Sequence, residues 1–240
     1  MTGAQLHILF VRHGQTQDNI DKILQGWRDT SLTDRGFQEA QVLGDKLRGQ
    51  HIDAIWHSPL LRMKQTIAPI LETHPDLPKN AIYTDIDLRG QGLGELEGGS
   101  YDLIDMGNPR SADPQPGVER FIDFVARLRR CMARIIGSQA PLAARQQDQD
   151  RVVVIATHGV CITSIFKALE DTPSCSGFNP PLAVRGPEAY EVRWTDSDDV
   201  AKLVVSKPEE LPIKDGVLDW DGISGKPFLI ERWGKKEKAL

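Results

Sequence analysis

The chain has 240 residues, 40% of them hydrophobic and 26% charged, with a formal net charge of −5 at pH 7. That length suits one large domain rather than two, and the mild acidity argues against a general nucleic-acid or membrane-surface binder, which carries a basic excess. Three cysteines, Cys131, Cys161 and Cys175, form no CxxC pair and leave an odd count, which fits a reducing compartment better than a disulfide framework.

The N-terminus MTGAQLHILF has no basic segment leading into a long apolar stretch, so no secretory signal is expected. No window reaches the about eighteen apolar residues of a membrane span, and the cytoplasm is the expected compartment. Residues 6–11 read as a short buried strand that runs into Arg12-His13-Gly14. A polar loop follows, and Thr33 is placed to cap a helix with Phe37, Ala40, Leu43 and Leu47 at helical spacing. Asp53 to Trp56 is a second strand, followed by His57-Ser58-Pro59 and a helix that carries Met63, Ile67, Ile70 and Leu71. Pro69 lies inside that helix and is expected to kink or shorten it. Ile82 to Leu88 reads as a third strand, leading into a glycine-rich stretch over 90–99 and a loop over 107–117.

Val118 to Ile136 is the clearest helix, with Val118, Phe121, Ile122, Val125, Leu128, Met132, Ile135 and Ile136 on one stripe. Ala140 to Asp150 reads as a polar surface loop, and Arg151 to Thr157 as the strongest strand, ended by His158-Gly159. Later, Tyr190 to Trp194 and Lys202 to Ser206 are candidates for antiparallel strands at a sheet edge. Residues 207–227 look irregular, with three Pro and three Gly, and the terminal KKEK reads as a solvated tail. Strands alternating with helices imply a three-layer α/β/α sandwich with a mostly parallel central sheet and one antiparallel edge strand. One domain is expected over 1–240, its core spanning 6–206 and an irregular extension filling 207–240.

Two of the best strands thus end in His-Gly. Ligands of open parallel sheets bind beyond the carboxyl ends of the strands, so His13 and His158 are placed to converge on one ligand, and Gly14 and Gly159 let the backbone approach it. A single strand-end histidine is most often structural; two with an adjacent arginine point to a site. Metal binding fits less well, because Arg12 repels a cation and no carboxylate or thiol stands at ligand spacing. A phosphate fits better, since guanidinium presents a fork of donors to its oxygens.

VRHGQTQDN at 11–19, LQGWRDTSLTDRGFQEAQ at 24–41, SPLLRMKQT at 58–66 and THG at 157–159 together resemble the histidine phosphatase superfamily, in its phosphoglycerate-mutase-like branch. The likeness keeps the family's order from residue 6 to about 170 and fades beyond it. It implies that His13 is the nucleophile and forms a phosphohistidine, that Arg12 and Arg62 hold the phosphoryl oxygens and that His158 donates to them. It also implies that Thr16, Asn19, Gln25 and Gly26 belong to a loop over the phosphate, while ordinary turn roles stay open for Asn19 and Gln25. Ser31, Leu32 and Thr33 are read as setting up the helix start, and His7, His51, His57 and His74 as structural or surface residues.

One departure bears on chemistry. The family's proton-donor segment resembles Leu88-Arg89-Gly90-Gln91-Gly92-Leu93-Gly94-Glu95-Leu96-Glu97-Gly98, in which Gly90 stands where an acidic residue is expected. Either Glu95 reaches in from the same loop, or the substrate has a good leaving group, or the site has become a binding module. Glu97 is read as structural.

The resemblance implies a phosphatase of a small phosphorylated or diphosphorylated metabolite, with no metal or other cofactor and neither nucleic acid nor membrane as partner. A phosphoglycerate-type mutase is the rival, and would need further cations, for which Arg110 and the Arg127–Arg130 cluster are candidates. A catalytically weak phospholigand-binding protein is the third reading. The lid over the site is expected from 90–100 and 107–117, with 172–189 a further candidate. Tyr101, Leu103, Ile104 and Met106 either line an apolar pocket or form the buried face of a short helix. Oligomeric state is not legible.

Overall fold

In the computed structural model, residues 4–106, 108, 110–146, 149–170, 175–176, 200–205, 208–219 and 228–233 are described. The apolar run after Gln5 forms β1 (Leu6–Arg12). A short α1 (Gln17–Ile20) and α2 (Asp34–Leu47) precede β2 (Ala54–His57) and α3 (Leu61–Thr73). Then come β3 (Ile82–Thr84), α4 (Phe121–Arg145), β4 (Arg151–Thr157) and α5 (Gly159–Glu170). The remaining strands are β5 (Cys175–Ser176), β6 (Val200–Val205), the small β7–β8 pair (Ile213–Lys214 and Val217–Leu218) and β9 (Phe228–Trp233).

The central sheet has the order β3-β2-β4-β1-β6-β9-β5. β1, β2, β3 and β4 run parallel, whereas β6 is antiparallel to both β1 and β9. Alternation along β1 explains the three layers, because successive side chains leave a strand on opposite faces. Ile8 and Phe10 pack with Phe124, Leu128, Ile135 and Cys161 of α4 and α5. Leu9 and Val11 pack with Leu43, Leu47, Met63 and Ile67 of α2 and α3. Cover on both faces is why the strand reads as a continuous apolar run rather than an alternating one.

The fold is the expected sandwich, with differences in detail. The antiparallel strand lies inside the sheet, because β9 pairs along the far side of β6. β7, β8 and β9 all fall in the stretch after residue 206 that was expected to be irregular. The third strand stops at Thr84, where Asp85 accepts a hydrogen bond from Asp87 N and opens a 3₁₀ turn over Ile86–Leu88. α4 starts at Phe121, whose N–H is taken by Asp113, and runs nine residues past Ile136 through Pro141. That second half is helical because Ala140 and Ala143 are buried against the core, so tertiary packing overrides the polar composition. Pro69 does not end α3, which continues to Thr73. Phe37 and Ile122, expected on buried stripes, are 44% and 57% exposed. The expected strand at 190–194, most of the candidate lid over 172–189 and the KKEK tail lie outside the described residues.

Candidate active site

Register brings the two histidines together. β1 and β4 are neighbours, with Arg12 paired to Thr157, so the next residue on each strand is His13 and His158. Their ring centroids lie 5.3 Å apart. β2 flanks β4 on its other side, with His57 opposite Ala156, and its chain continues into Ser58. Three adjacent strands therefore deliver residues 13, 58 and 158 to one edge.

Hydrogen bonds fix the proton on each ring. His13 Nδ1 is 2.8 Å from Gly14 O, and a carbonyl only accepts, so Nδ1 carries the hydrogen. Burial, with Arg62 and Arg12 nearby, holds the His13 pKa well below its ordinary value. His13 is therefore neutral at pH 7, with its lone pair on Nε2. His158 has the opposite tautomer. An Arg62 amino group donates to its Nδ1 at 3.3 Å, so Nε2 carries the hydrogen and donates to Ser58 Oγ at 3.0 Å. Its pKa is likewise held well down, first by burial and then by Arg62.

Arg62 enters from the first turn of α3 and is 2% exposed. It donates to Arg28 O at 2.7 Å and Gly26 O at 3.1 Å, while its buried Nε has no acceptor among the described residues. Desolvation lowers its pKa to about 10, which still leaves it charged at neutral pH. Two guanidiniums beside two uncharged imidazoles make the floor of the cleft cationic, which suits a phosphoryl dianion.

The loop after β1 is held through its backbone N–H groups. Gly14 N donates to Thr66 Oγ1 of α3 and Gln15 N to Glu39 of α2. Thr33 caps α2 by accepting from Gly36 N at 3.1 Å. A Cβ on Gly14 would lie 2.6 Å from Gly36 O, and one on Gly36 would run into the Gln15 carbonyl. Neither Gly14 nor Gly159 has a positive φ. Gly14 thus permits close approach of the Gly36 backbone, whereas a Cβ on Gly159 would lie 3.3 Å from Arg12 Nε, a tight contact with a side chain.

Of the sequence-predicted residues, Arg12, His13, Arg62, His158, Asn19, Gln25, Gly26 and Gly159 line one cleft. Thr16 stands behind it and forms a reciprocal capping box with Asn19 across the short α1. Glu95 is not brought in: it is exposed on a 3₁₀ turn over Gly94–Leu96, and its backbone N–H bonds Pro116 O. Glu97 accepts from Trp27 N and Leu93 N and ties the glycine-rich loop to the loop after α1. Tyr101, Ile104 and Met106 line the cleft, whereas Leu103 is 56% exposed. Arg127 is no ligand-facing cation. It is buried, paired with Glu119, and donates to the carbonyls of Asp87, Arg89 and Gly90. Arg110, Arg129 and Arg130 are exposed and outside the cleft lining.

The sequence reading missed Ser58, Thr66 and Gln91. Ser58 follows a strand end as His13 and His158 do, and that position was its signal. Gln91 lines the cleft while donating to Glu119 O at 2.8 Å.

The chain is similar to known phosphatases and phosphoglycerate mutases. The chain is 30% identical over 169 residues to a broad-specificity phosphatase of Saccharomyces cerevisiae, covering 69% of this chain and 70% of that one. It is 32% identical over 176 residues to a 2,3-bisphosphoglycerate-dependent phosphoglycerate mutase of a Methylobacterium species, covering 66% and 83%. Among solved structures, a mycobacterial glucosyl-3-phosphoglycerate phosphatase complexed with VO3 superposes with a TM-score of 0.57 at 28% identity, over 71% of this chain and 82% of that one. The family model of the histidine phosphatase superfamily (branch 1) matches residues 8–204. The chain is thus an enzyme of the phosphatase kind and belongs to the histidine phosphatase superfamily, branch 1.

Proposed function

We propose that the protein hydrolyses small phosphate esters through a phosphohistidine on Nε2 of His13. The observation that carries this is the state of that ring: neutral, its Nδ1–H given to Gly14 O, its Nε2 lone pair left free in a cleft that the Arg12 and Arg62 guanidiniums also line. Attack forms the N–P bond as the ester P–O bond breaks, and the leaving oxygen takes the bonding pair. Water then attacks phosphorus, and the N–P pair returns to Nε2. Arg12 and Arg62 carry the charge that gathers on the equatorial oxygens, and the His158 Nε2–H turns from Ser58 to one of them. The chemistry of the described site requires no metal beyond these cations. Free, buried Cys131 and Cys161 support a reducing, cytoplasmic setting.

The phosphatase and mutase names among relatives leave transfer to a second acceptor as the rival. A mutase has to hold a substrate's second acidic group, and Arg12 and Arg62 are the only cations lining the cleft among the described residues. That favours water as acceptor. The test is brief incubation with ³²P-labelled acetyl phosphate, followed by peptide mapping. Acid-labile label is expected at His13 and absent in His13→Ala, with inorganic phosphate as product. Label lost to added phosphoglycerate and not to water would favour the mutase, and no label at His13 would remove the mechanism.

A further inference from the structure

The floor of the cleft is cationic, but its walls differ in kind. Beyond the two arginines and two histidines lie the apolar Leu24, Leu93, Ile104, Met106, Ala112 and Val160, interspersed with uncharged polar side chains such as Tyr101, Asn108 and Thr163. Asp105 is the one carboxylate in the lining among the described residues, and it is exposed. Among the described residues, a leaving group carrying its own negative charge would meet apolar and uncharged polar side chains and a carboxylate, with both lining cations already engaged by the phosphoryl group.

Position 90 adds a second, independent observation. A Cβ on Gly90 would sit 3.7 Å from His158 Cγ and 3.8 Å from Val160 Cγ1, which is ordinary contact, and its backbone is not left-handed. A side chain there would have room and would enter the cleft beside His158. The Gly90 carbonyl is taken by Trp27 Nε1 at 2.8 Å and by Arg127 at 3.1 Å, so the backbone at this point is fixed. Glycine thus leaves position 90, beside His158, without a proton donor, although neither space nor conformation demands glycine. General-acid help is worth roughly 10²–10⁴ in rate, and alkoxide leaving groups depend on it far more than acidic phenols do.

We infer that the preferred substrate is an aryl phosphate, with an uncharged, apolar leaving group whose oxygen departs unprotonated. This rests on the phosphohistidine reading above and narrows it. The leaving group departs as aryloxide when the N–P bond forms and collects its proton from solvent. Water's remaining proton goes to the released phosphate.

The test is kcat/KM for phenyl phosphates of graded acidity, cyclohexyl phosphate as the size-matched alkyl ester, 3-phosphoglycerate and pyrophosphate, with His13→Ala alongside. Cyclohexyl phosphate is expected to react at least about 100-fold more slowly than phenyl phosphate, and both anionic compounds more slowly than phenyl phosphate. Gly90→Glu is expected to narrow the phenyl-to-cyclohexyl ratio by about tenfold or more. A shallow dependence on leaving-group acidity that steepens in Asp105→Asn or Tyr101→Phe would make that residue the proton donor and overturn the inference. Faster turnover of 3-phosphoglycerate or pyrophosphate than of phenyl phosphate would also overturn it. Rates no higher than His13→Ala on every compound would remove the phosphatase reading itself, and the inference with it. Should Gly90→Glu fail to fold, the wild-type series decides alone.

Discussion

Ser58 and Arg62 together fix which nitrogen of His158 carries its hydrogen. Arg62 occupies Nδ1 and Ser58 receives the Nε2–H, so the ring is oriented from both ends. Removing the hydroxyl frees the ring to rotate while leaving charge and fold intact. Ser58→Ala is expected to lower kcat about tenfold, from a bond worth about 1 kcal/mol and the lost orientation, and steady-state kinetics measures it. A wild-type kcat would detach Ser58 from the site. Arg62→Lys keeps a charge but loses the fork that reaches Arg28 O, Gly26 O and His158 together. A fall of about 100-fold in kcat/KM is expected, and a change below a few fold would mean that charge alone suffices. His13 and His158 were legible in the sequence because each stands beside glycine at the end of an apolar run. Ser58 was not, because its partner is 100 residues away in sequence and no local pattern marks a hydroxyl that touches one distant ring.

The contact between α2 and the loop after β1 is the joint on which the nucleophile's position depends. Thr33 caps the helix and also donates to Gln15, and Gly36 packs against the loop's backbone. Thr33→Ala is expected to cost about 1 kcal/mol through the lost cap. Gly36→Ala places a methyl group against the Gln15 carbonyl, where two backbones meet and neither side has a flexible end to yield. It is expected to cost about 1–3 kcal/mol and to lower activity as well, since the displaced segment carries His13. Urea midpoints of both variants, with kcat/KM, check this; Gly36→Ala with wild-type activity would show that the loop adjusts without moving His13. The cap was readable from Thr33 and the helical spacing behind it. The C-terminal half of α4 was not, because Ala140 and Ala143 fill core space contributed by other segments, which the local polar composition does not reveal. Nor was the break after Thr84, set by one Asp85 side chain taking a backbone N–H.

Holding two imidazoles neutral under the sheet's edge gives folding a pH dependence. The folded pKa of His13 and of His158 lies well below the ordinary value, through burial first, and His57 shifts the same way. As pH falls through about 6.5, the unfolded chain takes up protons that the folded chain refuses. Stability is therefore expected to be intact above that pH and to fall below it, with His13 and His158 each contributing up to about 1.4 kcal/mol per pH unit. Melting temperatures between pH 7.5 and 5 measure this, and His13→Ala should show a shallower decline; equal slopes would mean that His13 is not the source. The same shift keeps His13 nucleophilic through mildly acidic pH, so its protonation should not limit kcat/KM near 6.5. Layer architecture was legible from alternating strands and helices, and the site's edge followed from the strand-end rule. The strand order was not: nothing local says that β4 inserts between β1 and β2, or that β9, reached through a stretch rich in proline and glycine, closes against β6.

That insertion has a consequence during synthesis. A ribosome that has made the first hundred residues has already made His13, Ser58 and both guanidiniums, yet His158 and β4, the strand that carries it, are still unwritten. β1 and β2 do not touch each other; each waits for β4 to lie between them. Contacts of such long sequence separation form late, so a nascent chain has no assembled cleft until its latter half emerges. Anion binding by arrested chains of increasing length would consequently appear abruptly, as β4 clears the exit tunnel, rather than grow with each arginine added.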